Sequence, residues 1–129
     1  MQLIKFVGTV VTGQGNGKFF VELPWVMRQL KESTGFNPYS GTLNLRLTPE
    51  CIKRRTHLSP QNSTIMVKPE NGYLPGYLYK AMIFDTECYI VLPDVPNYPK
   101  NLLEIIAAEN LRDLMNVKDG DTITVMVTL

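Results

Sequence analysis

The sequence is poor in the residues from which many catalytic centres are built. Among 129 residues there is one histidine, His57, and there are two cysteines, Cys51 and Cys88. These stand too far apart, with too few companions, for a zinc site of ordinary ligand spacing. Two separated thiols fit a reduced compartment better than a disulfide scaffold. Neither sign of charge dominates, since 13 Lys+Arg face 12 Asp+Glu for a net +1. That balance disfavours a nucleic-acid binder held by phosphate contacts, and equally a highly charged disordered chain. No run approaches the ~18 apolar residues of a membrane span. Residues 1–13 lack the basic start and long apolar centre of a secretory signal. A cytoplasmic protein with no membrane or nucleic-acid partner is expected, and the sequon Asn62-Ser63-Thr64 then carries no meaning.

What the chain does have is punctuation and short apolar runs. Nine glycines and nine prolines interrupt it, which favours many short elements joined by turns. Strands are expected at Leu3–Thr12, Lys18–Leu23, Thr42–Leu47, Ser63–Val67, Gly76–Phe84, Glu87–Leu92, Leu102–Ile106 and Thr122–Val127. Pro24 suits the first turn of a short helix, with Val26, Met27 and Leu30 on one face and Gly35 as its stop. A second short helix is expected over Glu109–Met115. Pro49–Asn62 reads as a polar connection. Its Lys53-Arg54-Arg55 run and His57 read as solvated loop residues. The whole, 44% apolar, suits one small all-β domain, a barrel rather than a sandwich because both ends read as strands able to pair.

Three segments could carry chemistry. Gly13, Gln14, Gly15, Asn16, Gly17 and Lys18 form a glycine-rich stretch whose backbone N–H groups could approach a phosphate, with Lys18 supplying charge. Its spacing is neither that of a Walker A loop nor that of a Rossmann fingerprint. Thr42 and Asn44, two apart on a strand, place neutral oxygen donors on one face, ~6–7 Å apart at Cα. Such a pair suits the partial protein shell of Mg²⁺, and it suits a polar strand face equally. Glu104 is a lone carboxylate within Leu103-Glu104-Ile105-Ile106-Ala107. Facing the barrel it must find a partner or line a site; facing outward it is ordinary.

Taken together and in order, these segments resemble the archaeal CTP-dependent riboflavin kinase family. The resemblance rests on the glycine loop ending in Lys18 and on the block Gly35-Phe36-x-Pro38-Tyr39-x-Gly41-Thr42-Leu43-Asn44. The Leu103–Ala107 strand and the Leu111-Arg112…Lys118-Asp119-Gly120-Asp121 ending complete it. It implies a six-stranded cradle-loop (RIFT-related) β-barrel with one or two short helices. It also implies a stand-alone domain over residues 1–129 without an N-terminal winged helix, expected to be monomeric. The implied reaction moves the γ-phosphate of CTP to riboflavin, giving FMN and CDP, with Mg²⁺. Gly13–Lys18 and Glu109, Asn110, Leu111 and Arg112 would hold the nucleotide. Thr42 and Asn44 would hold the metal. Pro96, Asn97 and Glu104 would meet the flavin, and Glu104 is the candidate base. Pro96 stands where the family has a threonine, in Pro96-Asn97-Tyr98-Pro99. The alternative is a non-catalytic flavin- or nucleotide-binding barrel.

Overall fold

The computed structural model describes residues 2–13, 17–39, 41–70 and 72–129. Seven strands form one antiparallel sheet: β1 (Leu3–Val11), β2 (Leu43–Leu47), β3 (Ile65–Val67), β4 (Gly76–Ile83), β5 (Thr86–Pro93), β6 (Leu102–Ile106) and β7 (Thr122–Thr128). Their order is β3-β4-β5-β6-β2-β1-β7. A further β4–β7 pairing at Ala81↔Val127 and Met82↔Met126 closes six of them into a barrel. Strand β3 lies outside the ring and extends the edge of β4. Closure leaves the barrel strands few free edges. Among the described residues, no helix is long and apolar enough to cross a membrane.

Alternation decides which side chains fill the barrel. In β2, Leu43, Leu45 and Leu47 point inward, as their period-2 spacing predicts. In β6 every residue is buried, because both faces are covered. Leu103 and Ile105 join the barrel interior, whereas Ile106 joins a second cluster on the outside. That outer cluster lies beneath two helices, α1 (Gly17–Glu22) and α2 (Pro24–Thr34), whose Phe20, Val21, Trp25, Val26 and Leu30 pack on Val67, Leu78, Tyr89 and Val91.

Helix α2 has the expected boundaries. Pro24 opens it, and Gly35 closes it at φ 80° with its N–H donating to the Lys31 carbonyl. Helix α1 corrects the expected strand at Lys18–Leu23. The buried residues are Gly17, Phe20 and Val21, an i, i+3, i+4 set rather than an alternating one. A strand there would also lack a partner, since β1 is already paired by β2 on one side and β7 on the other. The connection expected at Pro49–Asn62 is likewise structured, as α3 (Pro49–Arg54) and two 3₁₀ turns at Arg55–His57 and Pro60–Asn62. Thr48 caps α3 by accepting from Cys51 N–H. With α4 (Leu111–Met115) the α-helices among the described residues number four, and all are short.

Candidate functional site

Glu104 lies on the outer face of β6, yet it is fully buried. An outward carboxylate should be ordinary; this one is covered because the start of α1 sits on it. Gly17 N–H donates to Glu104 Oε1 at 2.8 Å, and the Tyr98 hydroxyl donates to the same oxygen at 2.5 Å. Thr42 Oγ1 stands 3.2 Å from Oε2. An ionised carboxylate only accepts, and every partner here has a proton to give. Burial, and then the Glu104 carboxylate beside it, push the Tyr98 phenol well above its ordinary range, so its hydroxyl stays a donor.

Asn44 pairs directly across from Glu104 in the sheet register and is 7% exposed. Thr42 Oγ1 lies 2.8 Å from Asn44 Oδ1. Two oxygens bound to neighbouring corners of one octahedral Mg²⁺, each ~2.0–2.1 Å from the ion, sit about 2.9 Å apart. The pair therefore has the right spacing to hold such an ion. The Thr42 proton can turn to Glu104 Oε2 and leave a lone pair free. Among the described residues no group of three or more His, Cys, Asp or Glu could hold a metal, so the remaining ligands would come from water and substrate.

Two glycines are required by close approach. A Cβ on Gly13 would fall 1.6 Å from Asn44 Nδ2, and one on Gly17 would fall 2.6 Å from the Glu104 carboxylate. The loop backbone thus presses on the two polar side chains, which only residues without a Cβ allow. Gln14, Gly15 and Asn16, expected to cradle a nucleotide, lie outside the described residues. Lys18 lines the cleft, and its ammonium pairs loosely with Glu22 at 3.8 Å.

The cleft, about 430 Å³, is walled by Thr12, Gly13, Lys18, Gly41, Thr42, Asn44, Glu104 and Arg112. A smaller lobe of about 110 Å³ shares Gly41, Thr42 and Arg112 and adds Tyr39, Glu109, Asn110 and Leu111. Asn110 caps α4 by accepting from Arg112 N–H, and its amide donates to the Tyr39 hydroxyl at 3.2 Å. Arg112 Nη2 donates to the Val11 carbonyl and to Asp119 Oδ1. A hydrogen bond from Thr12, then one from Arg112, holds the Asp119 carboxyl below its ordinary value.

The structure thus brings together Gly13, Gly17, Lys18, Thr42, Asn44, Glu104 and the Glu109–Arg112 turn. Pro96 and Asn97 are exposed on the β5–β6 connection and do not line this cleft. The residue of that connection that reaches Glu104 is Tyr98, which the sequence displayed within the Pro96–Pro99 run without marking it. His57 is exposed, but at the end of a 3₁₀ turn, and the Arg54-Arg55 pair expected to be solvated is half-buried, each donating to a backbone carbonyl. Burial raises the Cys88 thiol to about 12, so it is an unreactive core residue.

Fold and cleft define a small closed barrel with a polar cleft, walled in part by Gly13 and Lys18, on the outer face of β2 and β6. Residues 10–127 match the model of the CTP-dependent riboflavin kinase family, described as domain of unknown function DUF120. The chain belongs to that family. It is 35% identical to the riboflavin kinase of Pyrobaculum aerophilum over 129 residues, covering 98% of this chain and 61% of that protein. The riboflavin kinase of Archaeoglobus fulgidus is also 35% identical, with coverage of 98% and 55%. That of Ignicoccus hospitalis is 32% identical, with coverage of 96% and 71%. The chain therefore spans less than two thirds of several of the curated relatives it matches.

Proposed function

We propose that this domain transfers the γ-phosphate of CTP to the 5′-hydroxyl of riboflavin, giving FMN and CDP. The observation that carries the reading is the meeting, in one cleft, of a converging neutral oxygen pair and a buried carboxylate with cations at its rim. Phosphoryl transfer asks mainly for alignment and charge neutralisation, and this cleft supplies both. The names of the relatives support riboflavin as acceptor, and the family's name supports CTP as donor.

In this reading the triphosphate lies along the glycine loop, within reach of Lys18 and Arg112. The base lies toward the Tyr39–Asn110 lobe. Thr42 and Asn44 would hold a Mg²⁺, whose charge would offset that of the phosphates. The ribityl chain approaches Glu104. The 5′-oxygen forms a bond to the γ-phosphorus as the bond to the β-bridging oxygen breaks and CDP leaves. The hydroxyl proton passes to Glu104 Oε2, the carboxylate oxygen with fewer partners among the described residues. Glu104 lines the cleft beside Thr42 and Asn44, so the acceptor reaches Oε2 from that side.

The test is an assay of FMN formation from riboflavin with each of CTP, ATP, GTP and UTP in the presence of Mg²⁺. The expected result is fastest turnover with CTP. Equal or faster turnover with ATP would remove CTP from the proposal. Tight flavin or nucleotide binding without turnover on any donor would establish the binding-module alternative instead.

A further inference from the structure

The two oxygens of Glu104 are not equivalent. Oε1 accepts from both Gly17 N–H and the Tyr98 hydroxyl, at 2.8 and 2.5 Å. Two donors thus match the two lone pairs of that oxygen. Among the described residues Oε2 has only the Thr42 hydroxyl at 3.2 Å, and that hydroxyl has a nearer partner in Asn44 Oδ1 at 2.8 Å. One oxygen is tied to the frame, and the other faces the Thr42–Asn44 end of the cleft.

Tyr98 is itself held in place. The Arg55 guanidinium lies over its ring, 5.1 Å from the centroid, and Arg55 Nη1 donates to the carbonyl of Pro99. The prop continues into the barrel wall, since the neighbouring Arg54 donates to the carbonyl of Lys5 on β1. A chain of contacts thus runs from β1 through α3 and the 3₁₀ turn to the ring of Tyr98. It passes through the phenol to Glu104 and on to the first residue of α1.

We propose that Tyr98 is the positioning residue of the acceptor side, fixing Glu104 so that Oε2 alone meets the hydroxyl to be phosphorylated, with Arg55 as the support of its ring. This rests on the reading that Glu104 meets the ribityl hydroxyl. Tyr98 acts through Glu104 and not on substrate. Without it the carboxylate turns more freely about its terminal torsion, which is broad and roughly two-fold for glutamate. Misplacement of a reacting group by ~1 Å costs on the order of 10²-fold in rate.

Tyr98→Phe keeps the ring beneath Arg55 and deletes only the hydroxyl. Its kcat for FMN formation should fall by about ten- to a hundredfold. The KM for CTP should hold, and riboflavin affinity by flavin fluorescence should change by less than about threefold. A purely structural role would instead lower the melting temperature and leave kcat alone. Arg55→Gln leaves Tyr98 intact and should lose about two- to tenfold in kcat, which tests the support even if Tyr98→Phe folds poorly. In a Glu104→Ala background, Tyr98→Phe should add no further loss, because the residue it positions is gone. Wild-type kcat in Tyr98→Phe and Arg55→Gln, or losses that simply add in the double variant, would overturn the inference. A wild-type protein that makes no FMN from any of the four triphosphates is a different result. It defeats the kinase reading itself, and this inference with it.

Discussion

Gly17→Ala is the smallest change that tests how the cleft is built. The added Cβ would lie 2.6 Å from the Glu104 carboxyl carbon and one of its oxygens. Ordinary carbon contacts are ~3.5–4.0 Å, so about 1 Å must be found. Glu104 cannot swing away cheaply, since its oxygens hold Gly17 N–H and the Tyr98 hydroxyl. The start of α1 must rise instead, and its N–H leaves Oε1. A hydrogen bond to a charged group is worth about 1.5–3 kcal/mol. Displacing the cleft wall by that ~1 Å should itself cost on the order of 10²-fold in kcat. Alanine recovers up to ~1 kcal/mol of helix propensity over glycine, so a net loss of about 0.5–2 kcal/mol of stability should remain. Gly35→Ala is the matched control. It places an L-residue at φ 80° with no atom within 4 Å of the new Cβ. It should cost about 1–2 kcal/mol of stability and leave specific activity intact. The readouts are steady-state FMN formation and thermal unfolding followed by circular dichroism. Full activity in Gly17→Ala would refute the claim that the loop and Glu104 form one tightly packed unit.

Phe20→Ala should destabilise the domain by about 3–5 kcal/mol in a denaturant titration, because its ring packs on Gly76 and meets Trp25 edge-on at 6.1 Å. A loss below ~1 kcal/mol would mean that α1 is not held by the outer cluster. Asp119 is depressed from its ordinary 3.8 by Thr12 and Arg112. Its contribution is therefore full above about pH 3.8 and is lost as pH falls through the lower folded value. The stability gap between wild type and Asp119→Asn should be constant near neutrality and shrink in acid, and a gap that widens on acidification would contradict this. Pro96→Thr, which restores a hydroxyl on the β5–β6 connection, should tighten riboflavin binding by about fivefold in a fluorescence titration. Unchanged affinity would place that connection away from the flavin.

Much of this was legible in the chain because it depends on local pattern. The alternation of Leu43, Leu45 and Leu47 specified the inward face of β2. Pro24 and Gly35 bounded α2 at the positions where their backbone preferences require it. Helix α1 was not legible, since the aromatic and β-branched run Phe19-Phe20-Val21 suits a strand as well as a helix. What decides against a strand is the pairing of both sides of β1, which only the closed sheet shows. The burial of Glu104 was equally hidden. Its cover, Gly17, is 87 residues away in sequence, and strand parity alone places Glu104 on an outer face. Tyr98 is one of six tyrosines, and nothing local separates it from the others until the β5–β6 connection is folded against β6.

In the proposed function phosphoryl transfer takes place over Asn44, on the outer face of β2, and Thr42, just before that strand. The most direct measurement is FMN formation from riboflavin and CTP across a Mg²⁺ titration, comparing wild type with Asn44→Ala and Thr42→Val. Both changes leave the inward leucines of β2 in place. The account predicts that each variant loses about 10²-fold or more at limiting Mg²⁺, in line with the loss of charge stabilisation at a transferring phosphate. Part of the activity should return as the ion is raised. Wild-type turnover in both variants throughout the titration would contradict it, and would leave the oxygen pair as no more than a polar patch on the strand.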